Sequence, residues 1–509
     1  MLSRINTAAV YGLDALAVSV ETDITRGLPG FYIVGLADVT VKEARERIRS
    51  AVLNSECEFP MERIVINIAP ADIRKKGSCL DLPMAIGILA GTHQIMTDEL
   101  KDWCFMGELS LDGKIRRVSG LLPMLTVLEE RGIRRAVVPY DNRKEAALLS
   151  KIEIYPARNL KDVVEAFNMR KPLKRQMHSK NIEGVESKPG FDFSEVKGRE
   201  NAKRAIMIAV AGGHGLLMTG TPSTGKTMLA ERIPTIMPPM SFEEIMEVTK
   251  IYSSAGLLDE KRQFITERPY RNPHHNITGV SLTGGGIIPK PGEITLAHKG
   301  VLFLDELAEF RRDTIDLLRQ PLEEKQIAIS RLEHKYVYPA DFLLIAASNP
   351  CKCGYYGDEE KECTCTASEI QKYRGKISGP VMDRIDLHIR LHNIKYDELK
   401  DRRGMSSERM RKTIVAARDL QRERFAKLFR SEKFSLNGNL GIRQVDKVII
   451  LGRKEESFLQ AAYERYMLNP RVLFKIKKVA RTIADIAGRE DVRTEDLSEA
   501  IQYREEASR

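Results

Sequence analysis

The spacing of apolar positions divides the chain into stretches of different character. From Met1 to about Phe167, strand-like and helix-like patterns interleave. Arg63–Ile68 (RIVINI) alternates β-branched and polar residues, which predicts a half-buried strand. Val41–Leu53 and Leu82–Ala90 repeat their apolar positions at helical spacing. Gly113 and Gly120 punctuate the turn-rich stretch Met106–Leu121. A compact α+β domain over residues 1–168 follows. Apolar residues then thin out over 169–189, where Pro172 and Pro189 accompany Arg170, Lys171, Lys174, Arg175 and Lys180. That composition predicts a solvated basic linker, with a DNA-binding arm as the alternative. Over 190–394 the pattern is strand, Gly-rich turn, helix, repeated, as in a nucleotide-binding α/β core. Residues 395–509 read almost entirely helical, with apolar spacing of that kind in Arg409–Phe429, Val445–Arg465 and Val472–Ala487.

Composition narrows the class. Hydrophobic residues make up 42% and charged residues 30%, a globular balance that excludes wholesale disorder. The longest apolar run, near Ala85–Ala90, is far short of the ~20 residues of a membrane span, so no membrane association is expected. Arg4, Asp14 and Glu21 break any secretory-signal pattern at the N-terminus. The seven cysteines are an odd number, and four crowd into Cys351–Cys365. That distribution fits a reducing cytoplasm and a metal site better than a disulfide framework. The net charge of +10 alone permits nucleic-acid binding without arguing for it. Its placement says more, because Met169–Asn181 carries +5 and Asp401–Lys433 carries 11 basic against 5 acidic residues.

The clearest chemistry lies in the α/β core. The apolar strand Gly215–Thr219 runs into Gly220-Thr221-Pro222-Ser223-Thr224-Gly225-Lys226-Thr227, and an apolar helix follows. This is a phosphate loop in its confirming strand–turn–helix context. Backbone N–H groups of such a turn, with the positive helix end, cradle the phosphates of ATP. Lys226 is placed to reach the β- and γ-phosphates, and the Thr227 hydroxyl to ligate Mg²⁺. A second apolar strand, Gly300–Leu304, ends in Asp305-Glu306. Asp305 is then the partner of Mg²⁺, and Glu306 the group that polarises the attacking water. A third strand, Phe342–Ala347, ends at Ser348-Asn349-Pro350, where Asn349 can orient that water and sense the γ-phosphate.

Strands ending in Asp-Glu and in Asn resemble an AAA+ ATPase. Further strings are more particular: Phe193-Ser194-Glu195-Val196-Lys197-Gly198, Arg268-Pro269-Tyr270-Arg271-Asn272-Pro273-His274-His275, Pro291-Gly292-Glu293-Ile294, Ser378-Gly379-Pro380 and Asp383-Arg384-Ile385-Asp386. Together they resemble the YifB/ComM family of Mg-chelatase-like AAA+ proteins, over essentially the whole chain. The resemblance implies a homo-hexameric ATPase that drives branch migration on DNA during homologous recombination or natural transformation. A chelatase-type motor remodelling a metal-insertion or other protein complex is the alternative. The resemblance also implies residue roles. Arg384 becomes an arginine finger reaching a neighbouring subunit, with Arg374 as competitor and an ion pair to Asp383 or Asp386 as the plain alternative. Arg471 takes the lid-arginine position, although Asn469-Pro470 precede it where the family usually has Ser-Ala. Gln326–Arg331 and Tyr336–Ala340 read as a hairpin that the resemblance points into a central pore, so His334 and Lys335 become candidate DNA-phosphate contacts. Adjacent His274 and His275 suggest a structural or nucleotide-coupled role more than a metal pair.

Cys351, Cys353, Cys363 and Cys365 form C-x-C-x9-C-x-C, a set of four thiolates suited to structural Zn²⁺ although the C-x-C spacing is tight. Cys57, Cys79 and Cys104 are most simply core residues. The strings Gly77–Ala85 and Gly107–Lys114 resemble the ribosomal-S5-like C-terminal domain of Lon protease. At the nucleophile and base positions of that resemblance stand Cys79 and Leu122, and a Ser78–Lys114 dyad has the wrong spacing, so the domain is expected to be proteolytically inactive. The fold expected is therefore α/β: a Lon-like α+β domain, an AAA+ core and a C-terminal helical lid.

Overall fold

The computed structural model describes residues 2–35, 43–70, 77–98, 100–178, 190–286, 289–330, 335–393, 404–430, 432 and 434–508. They fall into two compact units, one holding Met1–Val185, Ser241–Thr266 and Ile288–Pro291, the other Glu186–Met240, Glu267–Ile287 and Gly292–Arg509.

The first unit is built on a seven-stranded mixed sheet. Its strands are β1 (Leu2–Tyr11), β2 (Asp14–Thr25), β3 (Gly30–Val34), β4 (Arg63–Ala69), β5 (Trp103–Phe105), β6 (Arg135–Pro139) and β7 (Glu153–Ala157). They lie in the order β3-β4-β2-β1-β5-β6-β7. The long β1–β2 hairpin is antiparallel, and β5, β6 and β7 run parallel. The alternation in RIVINI works as its pattern requires, with Ile64, Ile66 and Ile68 buried. Helices α1 (Ala44–Asn54), α2 (Asp81–Gly91), α3 (Leu121–Glu130) and α4 (Leu160–Phe167) accompany it. Every residue of α2 is buried, which explains why its apolar run carries so little amphipathic contrast.

This unit also takes in a helix remote in sequence, Phe242–Ala255, started by a Ser241/Glu244 capping box. The segment lies inside the 190–394 stretch whose pattern reads as one core. Ser253 Oγ donates to the buried Glu145 carboxylate, the Gly120 N–H donates to the Ser253 carbonyl at 2.9 Å, and the Gln263 side chain accepts from Lys144 N–H at 3.0 Å.

The second unit carries a five-stranded parallel sheet of β8 (Leu216–Gly220), β9 (Tyr270–Arg271), β10 (Val301–Leu304), β13 (Leu343–Ser348) and β14 (Leu387–Leu391). Between β10 and β13 stands the hairpin of β11 (Gln326–Ser330) and β12 (Lys335–Pro339). The sheet order β9-β10-β13-β8-β14 places β8 between the last two strands of the chain. β13 and β14 pair with opposite sides of β8, and α/β sheets bind ligands at the carboxyl end of such a strand. Helices α5 (Glu200–Gly212) and α6 (Lys226–Ile236) flank the sheet. The C-terminal helices α7 (Ser407–Leu428), α8 (Arg453–Arg465), α9 (Pro470–Ile486) and α10 (Thr494–Ser508) share its core, with Met410, Ile414, Ile476 and Ile483 clustering with Ile206 and Ile208. The sequence pattern over Val445–Arg465 suggests one helix, but the structure has two, Ile442–Val448 and Arg453–Arg465. Gly452 caps the second in an extended conformation.

Candidate nucleotide-binding site

The phosphate loop closes the carboxyl end of β8. Gly225 adopts φ +83° immediately before α6, a left-handed conformation that glycine takes at no steric cost. Thr224 Oγ1 donates to the Thr221 carbonyl at 2.7 Å, which curls the loop on itself. Lys226 Nζ donates to the Gly220 and Thr221 carbonyls at 2.7 and 3.0 Å and to Asn349 Oδ1 at 3.2 Å. Burial pushes the Lys226 ammonium below its ordinary pKa, and Asp305 opposes that shift. A cation held over loop carbonyls beside a helix N-terminus is a cradle for an anion.

Thr227 Oγ1 donates to Asp305 Oδ2 at 2.7 Å. A hydroxyl and a carboxylate this close form a hard oxygen set suited to Mg²⁺. The Tyr270 hydroxyl is buried without a hydrogen-bond partner, and Asp305 and Glu231 help hold its pKa above the usual phenol value after burial, the main cause. Glu306 stands next in sequence in the left-handed region, φ +52°, and its N–H donates to Asp305 Oδ1 at 2.9 Å. Such strain in a non-glycine residue costs on the order of 1–3 kcal/mol and gathers at functional sites. The Glu306 side chain reaches solvent, and its Oε2 lies 3.2 Å from His275 Nδ1. The His274 and His275 ring centroids lie 4.1 Å apart, with the planes tilted by 33°. The histidine pair is thus tied to the carboxylate at the end of β10, a contact between distant segments that sequence spacing could not reveal.

Of the residues singled out from sequence, Gly220–Thr227, Asp305, Glu306 and Asn349 converge at this end of β8. Arg384 does not. The Asp386 and Leu387 N–H groups both donate to the Gly215 carbonyl at 3.0 Å, so Arg384 sits beside the start of β8. The phosphate loop begins at its end, about 16 Å away at 3.3 Å per residue. In this chain the Arg384 guanidinium donates to Glu323 Oε1 and to the Pro380 carbonyl, each at 2.5 Å. Its partner is Glu323 and neither Asp383 nor Asp386, and its Nε is buried with no acceptor. Arg374 stacks on the Tyr356 ring at 5.1 Å and donates to the Pro350 carbonyl at 3.4 Å.

Arg471 lies exposed in the first turn of α9, behind Asn469, which caps the helix by accepting from Val472 N–H at 2.9 Å. One turn further, Lys475 pairs with Asp386 at 2.6 Å. Burial raises the Asp386 carboxyl, but Lys475 and His214 outweigh it and hold the group well below the usual range. His214 Nε2 contacts Thr482 Oγ1 at 2.8 Å. Asp386 therefore links the segment carrying Arg384 to the helix carrying Arg471.

The β11–β12 hairpin pairs Gln326 with Pro339 and Ser330 with Lys335. Its turn, with His334, lies outside the described residues, and Lys335 is described by its backbone only. The basic stretch Asp401–Lys433 proves less available than its charge suggests. Arg418 donates to the Val210 carbonyl at 2.7 Å, Arg422 pairs with Asp419 at 2.6 Å, Lys412 with Glu408 at 2.7 Å, and Arg424 with the buried Asp485.

In the cysteine loop, Cys351 Sγ lies 3.3 Å from Cys353 Sγ and 3.7 Å from Cys363 Sγ, and the last two are 3.5 Å apart. With Cys365, all four sulfurs fall within 4.8 Å of one another. In the first unit Ser78 Oγ donates to Glu108 while Lys114 pairs with Asp112 at 2.8 Å, so these two residues serve different carboxylates. Cys79 and Leu122 are buried.

Among the described residues, no helix is long and apolar enough to cross a membrane. Three family models match the chain: magnesium chelatase, subunit ChlI, over residues 192–399; subunit ChlI of Mg-chelatase over 20–142; and the ChlI C-terminal model over 404–504. The chain is 38% identical to the competence protein ComM of Haemophilus influenzae over 509 residues, covering 99% of this chain and 97% of that one. It is 39% identical to the uncharacterized protein YifB of Escherichia coli over 505 residues, with 99% and 97% covered. A chloroplast magnesium-chelatase ChlI subunit of Arabidopsis thaliana is 20% identical over 380 residues, covering 70% of this chain and 84% of that one.

Proposed function

The chain belongs to the ComM/YifB family of magnesium-chelatase-like AAA+ ATPases, and from that premise we propose that it is a ring-shaped, ATP-driven motor that moves branched DNA during recombination. One observation carries the reading. The residues that bind and attack the nucleotide meet at one end of β8, while Arg384 stands at the other end with an unpaired donor.

In this reading Lys226 exchanges the Gly220 and Thr221 carbonyls for the β- and γ-phosphates. Asn349, already in contact with Lys226, orients the attacking water. Glu306 takes a proton from that water as its oxygen bonds to the γ-phosphorus and the bond to the leaving ADP oxygen breaks. His275 holds the Glu306 carboxylate in place. Thr227 and Asp305 would hold Mg²⁺, which would neutralise charge on the phosphates. Arg384 is too far from its own phosphate loop to assist, so it serves the site of the next copy in a head-to-tail ring, and a homo-hexamer satisfies that closure. A guanidinium suits the task because it stays charged and can grip two oxygens at once.

The DNA substrate is supported by the relationship to a competence protein and by the hairpin that carries Lys335. Phosphate contacts of this kind track the backbone without reading sequence. The test is the ATPase rate with and without single-stranded or four-way-junction DNA. Stimulation supports the motor. A rate indifferent to every DNA favours a motor that remodels proteins, the reading suggested by the distant chelatase subunits.

A further inference from the structure

The cysteine loop does more than hold four thiols together, because it forms one wall of the phosphate loop. Tetrahedral Zn²⁺ with Zn–S bonds of 2.3 Å places its sulfurs about 3.8 Å apart. The observed separations of 3.3, 3.5 and 3.7 Å are of that size, and all seven cysteines are free thiols. Two backbone donors point at the set, Tyr356 N–H to Cys351 Sγ at 3.3 Å and Cys353 N–H to Cys365 Sγ at 3.4 Å. Donors of this kind orient and stabilise thiolate ligands. Four cysteines leave no open coordination position, so the site is structural.

The surroundings of the loop supply the consequence. Cys351 is buried and follows Asn349 by two residues. Gly354 turns with φ +89°, and a Cβ there would lie 2.9 Å from Pro222 Cγ and Cδ in the phosphate loop. The Tyr356 and Gly357 carbonyls accept from Arg390 of β14 at 2.9 and 3.0 Å. Asp358 accepts from Asn393 Nδ2 at 3.2 Å, and Asn393 Oδ1 accepts from the Thr221 hydroxyl at 3.4 Å. The loop thus touches the phosphate loop at Thr221 and Pro222 and is chain-continuous with Asn349. Its own residues, Lys352–Thr364, are mostly polar and exposed, so apolar burial is not what holds it.

We propose that Cys351, Cys353, Cys363 and Cys365 bind one Zn²⁺, and that this ion clamps the phosphate loop and so sets the affinity for ATP. The clamp rests on the nucleotide-site reading above. Metal-binding energy becomes local folding energy here, as in small zinc modules.

The test uses the full chain purified in reducing buffer. Metal analysis is expected to find one zinc per chain. Binding of a fluorescent ATP analogue is then measured on the zinc-loaded protein, on protein stripped with a mercurial and a chelator, and on stripped protein reloaded with ZnCl₂. Stripping should weaken binding about tenfold or more, and reloading should restore it. Asn393→Ala is the second variant, since it leaves all four thiolates in place. It should keep its zinc and still lose affinity, with unchanged far-ultraviolet circular dichroism. Absence of zinc, iron in its place, or equal affinity before and after stripping would overturn the clamp. If the zinc-loaded protein does not bind the analogue at all, the nucleotide site itself is wrong and the clamp falls with it. Zinc content, read separately, distinguishes that failure from the others.

Discussion

Replacing Arg384 with alanine probes the part of the site that a single chain does not complete. An arginine supplied to the transferring phosphoryl group from a neighbour is worth about 10³–10⁵ in turnover, or about 4–7 kcal/mol of barrier. Against this stands the cost of releasing Arg384 from Glu323. That pair has side-chain exposures of 15% and 55%, so solvent screens it and its worth is about 0–1 kcal/mol. The finger term dominates. Arg384→Ala should therefore lose at least about a thousandfold in hydrolysis, with binding of a fluorescent ATP analogue retained, because Arg384 lies far from its own phosphate loop. Releasing the finger in advance, by Glu323→Gln, should raise turnover by no more than about fivefold. Mixing gives the sharper readout. Subunits with Lys226→Ala lack a nucleotide site but offer a finger, and subunits with Arg384→Ala do the reverse. An equal mixture should regain activity at roughly a quarter of its head-to-tail interfaces, although each variant alone is inactive. Normal turnover by Arg384→Ala would refute the reasoning and move attention to Arg374. Loss of ATP binding would make Arg384 a structural residue of its own site.

Lys226→Ala should abolish ATP binding in a filter or fluorescence assay, since it removes the ammonium held at Asn349 and the loop carbonyls. His275→Ala should lower kcat by about 10–100-fold with little change in ATP affinity, because it acts only by holding Glu306. Stability should depend on pH through His388. Burial, with Arg504 adding to it, depresses that imidazole to about 3 from 6.5. The unfolded chain therefore binds the proton first, so stability is full above pH 6.5 and falls as the pH drops towards 3. Between pH 6.5 and 5.5 the loss from this group is about 1 kcal/mol in denaturant melts, and His388→Gln should remove that increment.

The chemistry that was legible in the sequence is local in the chain. Gly220–Thr227 declares itself because one short turn must supply glycine, lysine and threonine at fixed offsets. The apolar strands ending in Asp305 and Asn349 were readable because parallel core strands are buried on both faces. What stayed hidden was non-local. Nothing in the spacing pairs Arg384 with Glu323, Lys475 with Asp386, or Asn393 with Thr221. Nor does a count of lysines and arginines over Asp401–Lys433 disclose that Arg418 and Arg424 are already bound to Val210 and Asp485. The helix Phe242–Ala255 carries ordinary caps, so its packing with Glu145 and Gly120 in the first unit leaves no local mark.

The claim that ATP hydrolysis drives DNA movement is tested most directly by branch migration of a synthetic four-way junction. The wild-type chain should convert the junction to its duplex products with ATP and Mg²⁺, and should fail with a non-hydrolysable analogue. Lys226→Ala and Arg384→Ala should fail in both conditions. An unmoved junction, together with an ATPase rate that the junction leaves unchanged, would contradict the motor reading.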